Sequence, residues 1–158
     1  MTQHHVTQER KARMVREGLV RVVTESIEFD TPGNAHVEKI TAQVAAAIAR
    51  CDISDGIVTV FAPGATGAIT TLEFEPGVVQ DWQAFLDSIV PVDKHYQHSV
   101  NLRDGNGHSH IRAGLIGPSL TIPVSGGAMT LGRWQEVVFC DFDARSRERS
   151  LVVQVMGI

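Results

Sequence analysis

Three histidines stand close together in the middle of the sequence, in a polar segment rich in turn-forming residues. His98 precedes a turn, and His108 and His110 follow it, two residues apart. On an extended strand, side chains two residues apart point to the same side, so both imidazoles could ligate one cation. His98 could supply a third nitrogen, which would give the three-nitrogen arrangement of a catalytic zinc site. Histidines that are only hydrogen-bonded within the fold are the alternative, and both interpretations stay open.

The turn between these histidines adds further candidate residues. Asp104 and Asn106 carry oxygen atoms, and an extended chain would put Asn106 on the same side as the two histidines that follow. Gly105 and Gly107 leave the backbone accessible, and successive backbone N–H groups suit phosphate. Seven of the fourteen glycines fall between Gly105 and Gly132. Tight turns between short strands explain this density equally well.

Arg112 lies in register with His108 and His110 if the segment is a strand, which makes it the best candidate among the arginines for clamping phosphate. The turn Arg145–Arg149 contains three more arginines, for which solvent exposure is the simpler prediction. A second polar cluster follows the loop Pro63–Gly67. There, Glu73 and Glu75 would share a strand face and could bind Mg²⁺ or transfer a proton, or could simply be solvated.

Composition limits the classes of function. A chain of 158 residues with 43% apolar and 20% charged residues predicts one folded domain. The net charge of -4 argues against a generally basic nucleic-acid binder. Two cysteines cannot form a disulfide framework, and the N-terminus lacks the apolar core of a signal peptide. The uncharged run Ala113–Gly132 is broken by glycines and prolines, so we expect no membrane span and a cytoplasmic protein.

Hydrophobic periodicity predicts an α+β fold with a largely antiparallel sheet and two main helices. The helices are expected over Thr41–Arg50 and Val78–Val90. Strands are expected at Leu19–Phe29, Ile57–Phe61, Ala68–Phe74, His110–Leu115, Leu120–Val124, Ala128–Leu131, Trp134–Phe142 and Ser150–Met156. Met1–Gly18 is predicted to be a polar extension, and residues 19–158 to be the single compact domain.

Three blocks of this sequence, in order and with matching gaps, resemble the YjbQ family, whose members are often called secondary thiamine-phosphate synthase enzymes. The blocks are Asp104–His110, Gly117–Pro123 and Leu131–Gln135. The resemblance covers about Glu25 to Ile158. It also includes Tyr96-Gln-His98, Phe61-Ala-Pro63, the Glu73–Gly77 segment and the helix at Ile40.

The resemblance implies a homotrimer of a YjbQ-like α+β fold and a histidine site where a divalent metal ion, zinc or magnesium, can sit. By matching motifs it assigns His98, His108 and His110 to this site, with Glu73 as a further member. It implies an activity that joins hydroxymethylpyrimidine pyrophosphate to thiazole phosphate. In that reading Glu73, His108 and Asp104 are catalytic, while Arg112, Asn106, Gly105 and Gly107 bind the phosphorylated substrate.

The chain departs from the family pattern at three places. Many members have His-Thr-Thr after the proline at 63, where this chain has Gly64-Ala-Thr66. Leu72 replaces an asparagine, and Arg133 replaces a threonine. Two other functions therefore stay open beside the transferase: a metal-dependent hydrolase with Glu73 as base, and a non-catalytic trimeric protein that binds metal or a small ligand.

Overall fold

The computed structural model describes residues 15–158. Within that range the chain forms β1 (Arg21–Thr31), β2 (His36–Lys39), α1 (Thr41–Cys51), β3 (Gly56–Phe61), β4 (Gly67–Leu72), α2 (Pro76–Ile89), α3 (Gln97–Leu102), α4 (Gly107–Ile116), β5 (Ser119–Ser125), β6 (Ala128–Met129), β7 (Glu136–Asp141) and β8 (Arg147–Gly157). The predicted extension falls partly on residues 1–14, which lie outside the described range. Residues 15–18 have no regular secondary structure.

Two antiparallel sheets form the framework. The larger has the strand order β1-β8-β3-β5-β6, and the smaller has the order β2-β7-β4. The long strands β1 and β8 pair along their whole length, from Arg21 opposite Gly157 to Thr31 opposite Arg147. The predicted α+β class with antiparallel sheets is confirmed.

Strand β7 is buried on both faces and therefore belongs to two apolar layers. Val137 and Phe139 point into the main core, which also holds α1 and the inner face of the larger sheet. Val138 and Cys140 point to the other side, against side chains from α2 and α4. Because successive residues of a strand face opposite ways, this one strand joins the two cores.

The two predicted helices are present with small shifts at their ends. α2 begins at Pro76. Proline suits the first turn of a helix because the N–H group that it lacks would have no partner within the helix at this position. The Glu75 carboxylate caps this helix by accepting hydrogen bonds from the N–H groups of Gly77 and Val78, at 2.9 and 3.0 Å. These bonds hold the pKa of Glu75 below its usual range.

The strand predicted at His110–Leu115 is wrong, because Gly107–Ile116 is the helix α4. The short helix α3 lies in a polar segment where the sequence predicts no helix. In α4 the buried residues recur at helical spacing, with His108 four residues before Arg112 and Ser109 four before Ala113. Three of these four are polar, so the helical pattern is hidden from a search for apolar periodicity.

No helix in the described range is long and apolar enough to cross a membrane.

Candidate functional site

Two histidines from different helices meet at one end of the fold. The ring centroids of His98, on α3, and His110, on α4, lie 4.4 Å apart with an edge-on angle of 63°. His98 Nε2 also lies 3.2 Å from Asp104 Oδ2, in the connection between the helices. That connection reverses the chain through two residues with positive φ, Arg103 at 58° and Gly105 at 69°.

The Asn106 side chain lies between these groups. One atom of its amide is 3.1 Å from His98 Nε2, 3.3 Å from His110 Nε2, and 2.9 and 3.1 Å from the Asp104 carboxylate oxygens. With the amide nitrogen in this place, Asn106 donates hydrogen bonds to its neighbours. With the amide oxygen there, five electron-pair donor atoms from four residues converge, and they repel one another unless a proton or a cation intervenes.

A backbone contact fixes the tautomer of His110. Its Nδ1 lies 3.0 Å from the carbonyl oxygen of Ala65, and only a protonated Nδ1 can donate to a carbonyl. The neutral ring therefore presents an Nε2 lone pair toward Asn106. In a metal-ligating histidine, the ring nitrogen that does not bind the metal usually donates a hydrogen bond to a group such as a backbone carbonyl.

The donor set fits a divalent cation on one condition. Within residues 15–158, His, Cys, Asp and Glu side chains alone form no group of three or more that could hold a metal ion. A cation here would need the amide oxygen of Asn106 beside His98, Asp104 and His110. The separations of 2.9–3.3 Å around Asn106 are close to those between neighbouring ligands of a metal with bonds of about 2.0–2.2 Å.

These four residues line an open cleft of ≈ 440 Å³. The opposite wall comes from the β3–β4 loop at Gly64–Thr66 and from the start of β8, where Arg147 and Arg149 lie. The cleft thus combines nitrogen and oxygen donors on one side with two guanidinium groups on the other.

A network of buried carboxylates holds the arginine wall. Arg149 contacts both oxygens of Asp141, at 2.7 and 2.5 Å, and donates to Thr66 Oγ1 at 3.1 Å. Arg147 donates to Asp143 at 2.9 Å. Burial raises the pKa of Asp143, but the hydrogen bonds from Arg147 and Thr66 and the arginine charges outweigh it and lower that pKa overall.

The predicted ligand His108 does not join His98 and His110. Asn106 and His110 are four residues apart and share a face of α4, whereas His108 points roughly the opposite way, since each helical residue turns about 100°. Its side chain is buried beside Tyr96, with ring centroids 6.3 Å apart. Burial, followed by the nearby charge of Arg112, lowers the pKa of His108.

Arg112 is also turned away from the cleft. It is only 2% exposed. Its Nε and Nη2 donate to the carbonyl oxygen of Val90, and Nη2 contacts Asp87 Oδ1 at 2.6 Å. Arg112 therefore ties α4 to the end of α2 and is not among the residues that line the cleft.

Glu73 lies at the other end of the smaller sheet. Along β4 and β7, Gly67 is opposite Asp141 near the cleft, and Leu72 is opposite Glu136 at the far end. Six strand residues span about 20 Å, so Glu73, which is exposed beyond β4, is remote from His98 and His110 of the same chain.

The glycines of the turn have separate roles. Gly105 adopts a positive φ, which favours glycine, and a side chain there would meet open space. Gly107 is packed: a Cβ at this position would lie 2.4 Å from Tyr96 Cβ. That both bind phosphate stays a prediction.

Arg147 and Arg149 belong to the site although their spacing in the sequence favours solvent exposure for the arginine turn. The Arg149 side chain is only 13% exposed. The sequence feature that points to these two arginines is the alternation of acids in Asp141-Phe-Asp143 followed by the alternation of bases in Arg147-Glu-Arg149. Two carboxylates at the end of a buried strand require cationic partners nearby.

Comparison with known proteins gives a consistent family assignment. A family model described as UPF0047 protein YjbQ-like matches residues 25–158. A UPF0047 protein of Methanothermobacter thermautotrophicus is 36% identical over 138 residues, which cover 87% of this chain and 94% of that protein. A UPF0047 protein of Archaeoglobus fulgidus is 36% identical over 110 residues, covering 69% and 85% respectively.

Solved structures agree with this assignment. A YbjQ-like protein of unknown function from Sulfolobus solfataricus has a TM-score of 0.84 at 27% identity, covering 89% of this chain and 100% of that one. An uncharacterised protein of the yjbq/upf0047 family from Clostridium acetobutylicum has a TM-score of 0.73 at 34% identity, covering 82% and 98%. The chain belongs to the UPF0047 family of YjbQ-like proteins.

Proposed function

We propose that the open cleft binds a phosphorylated small molecule together with a divalent cation, and that the chain is a transferase of the thiamine-phosphate synthase type. The observation that carries this proposal is the convergence of His98, Asp104, Asn106 and His110 opposite Arg147. Divalent cations and guanidinium groups are the two usual partners of pyrophosphate in proteins.

The protein's own groups support the cation side of the proposal. His110 has its Nε2 lone pair available because Nδ1 is bound to Ala65. His98 and Asp104 are 34% and 37% exposed, so a cation can reach them from solvent. Asn106 becomes a ligand when its amide rotates and turns the oxygen inward. Nitrogen and oxygen donors together favour zinc or a related ion over magnesium, which prefers oxygen alone.

Arg147 supports the phosphate side. Its side chain is 37% exposed and its one carboxylate partner among residues 15–158 is Asp143, so part of the guanidinium group stays available to a ligand. Arg149 is held more tightly by Asp141 and is better suited to shaping the wall. Arg147 would thus contact a phosphate while Arg149 keeps the β3–β4 loop in place.

The transferase assignment follows the family resemblance. In this reaction the thiazole nitrogen donates its electron pair to the methylene carbon of hydroxymethylpyrimidine pyrophosphate. The new carbon–nitrogen bond forms, the carbon–oxygen bond to pyrophosphate breaks, and pyrophosphate leaves with that electron pair. A bound cation would neutralise the charge that develops on the leaving group. Arg147 would bind the departing oxygens, and the histidine wall would orient the two rings.

The alternative hydrolase with Glu73 as base is less well supported. Glu73 lies about 20 Å along β4 from the cleft of its own chain. It could act there only if a neighbouring chain supplied it. The homotrimer implied by the family resemblance is part of this proposal, and sedimentation or light scattering of the purified protein measures it directly.

The proposal is tested in two steps with metal-free protein. Calorimetric titration with Zn²⁺ and Mg²⁺ should show one site per chain that is lost in His98→Ala and His110→Ala. The matched control is His95→Ala, which removes an exposed histidine of the neighbouring loop. Metal binding that survives both cleft substitutions would refute the proposed cation site.

The second step follows pyrophosphate release from hydroxymethylpyrimidine pyrophosphate and thiazole phosphate, with and without the metal. We expect turnover that falls at least tenfold in His110→Ala and Arg147→Ala and is unchanged in His95→Ala. Metal binding with no turnover would favour the non-catalytic binding protein. Metal-dependent release of pyrophosphate without thiazole phosphate would favour a hydrolase.

A further inference from the structure

A second pocket lies on the opposite side of α4 from the open cleft. This rear pocket, with a volume of ≈ 240 Å³, is bounded by α2, α4 and the turn before β2, and its lining includes Gln83, Asp87, His108 and Arg112. None of these four residues lines the open cleft.

The rear pocket contains a buried hydrogen-bonding atom without a partner. His108 is only 4% exposed. Its Nε2 lies 3.3 Å from Ser109 Oγ, but its Nδ1 is sealed from solvent and has no hydrogen-bond partner within residues 15–158. An unpaired buried polar atom costs free energy, so an occupant that bonds to Nδ1 would be favoured.

Arg112 supplies a second unused donor. Its Nε and Nη2 are engaged by Val90 and Asp87, whereas Nη1 makes no hydrogen bond to residues 15–158. Nη1 is not among the unpaired atoms sealed from solvent, and Arg112 lines the rear pocket. Two N–H donors of a buried guanidinium group are therefore available there.

The charges of the rear pocket are unevenly placed. The Arg112 side chain is 2% exposed, whereas that of its partner Asp87 is 61% exposed. Water screens the carboxylate at the rim much more than the guanidinium inside. The interior is therefore electropositive even though the pair is formally neutral.

We propose that the rear pocket is a second ligand site, distinct from the open cleft, which binds a small molecule through a carboxylate or phosphate group on Arg112 Nη1, with a small rotation of the His108 ring bringing Nδ1 to the same group. Gln83 donates to the Ala35 carbonyl at 2.9 Å and so fixes the outer wall. Both oxyanions have the acceptor geometry that a guanidinium group requires.

The test titrates metal-free protein with inorganic phosphate and, separately, with malonate, by calorimetry. Saturable binding of either probe is expected, and the tighter of the two identifies the oxyanion. The Asp87→Asn variant should bind the anion severalfold more tightly, because the substitution removes a competing negative charge and keeps an oxygen that can accept from Arg112. His108→Phe should bind at least fivefold more weakly, since the ring fills the same space without Nδ1.

Matched variants separate this site from the open cleft. Arg112→Met should abolish binding, whereas Arg145→Met, at an exposed arginine, should leave it unchanged. Arg112→Met could fail to fold because Arg112 ties α4 to α2, and Asp87→Asn and His108→Phe then decide the question. Binding that is lost in Arg147→Ala but retained in His108→Phe would overturn the proposal, as would no binding of either anion.

Discussion

His98 and His110 are brought within 4.4 Å of each other, centroid to centroid, by two helices that a single tight turn connects. Each ring also directs Nε2 toward the Asn106 amide. His108, which lies closer to His110 in sequence, is on the opposite face of α4. Position on the helix therefore decides which imidazoles belong to the cleft.

Asn106 provides a test of cation binding that leaves both histidines intact. In Asn106→Asp a carboxylate would stand about 3 Å from Asp104, so the metal-free protein should be less stable and zinc should bind about tenfold more tightly. Asn106→Ala should weaken zinc binding. Calorimetry and thermal melting with and without zinc measure both effects. Equal zinc affinity in all three proteins would show that Asn106 is not a ligand.

Two glycines of α4 should respond in opposite ways to alanine. Gly107→Ala puts a methyl group 2.4 Å from Tyr96 Cβ and should cost about 1–3 kcal/mol. Gly114 faces open space, and Gly114→Ala should stabilise the helix by about 0.5–1 kcal/mol. Urea unfolding measures both. If Gly107→Ala proved as stable as Gly114→Ala, the close packing of α3 against α4 would be contradicted.

Asp143 should make the stability of the fold depend on pH in the acidic range. Because its folded-state pKa lies below that of the unfolded chain, about 3.9, its contribution is complete above that value and disappears as the pH falls through the folded pKa. Asp143→Asn should cost about 1–3 kcal/mol at pH 7 and progressively less below pH 4.

Urea unfolding at several pH values measures this dependence. The control is Asp81→Asn, at an exposed position of α2, which should change little at any pH. If the loss of unfolding free energy in Asp143→Asn stayed constant from pH 7 to pH 3, the carboxylate would not be stabilised by its arginine neighbours.

Neither cysteine should react in the native protein. Burial raises the pKa of Cys140 to about 12 and also raises the pKa of Cys51. At pH 8 the reactive thiolate is therefore scarce as well as inaccessible. Ellman's reagent should detect no rapidly reacting thiol in the native protein and two per chain in guanidinium chloride. Fast reaction of one thiol in the native state would contradict this burial.

Local patterns were sufficient for much of the fold. Strands such as Ile57–Phe61 and Leu120–Val124 were identified because apolar β-branched runs between turns are typical of buried strands, and both lie within observed strands. The helices near Thr41 and Val78 were identified from apolar stripes. α4 was missed because its buried face consists largely of His108, Ser109 and Arg112, which carry no apolar signal.

The sequence by itself determined which chemical groups the cleft could contain and, through its motifs, the family to which the chain belongs. The tertiary structure decided which of those groups meet. A strand would have aligned His108 with His110, but a helix separates them and aligns Asn106 with His110, because side chains repeat every 3.6 residues and not every two. Arg149 pairs with Asp141, eight residues earlier, and the alternation of acids and bases in this stretch signals that pairing, but only the tertiary structure places the pair beside the cleft.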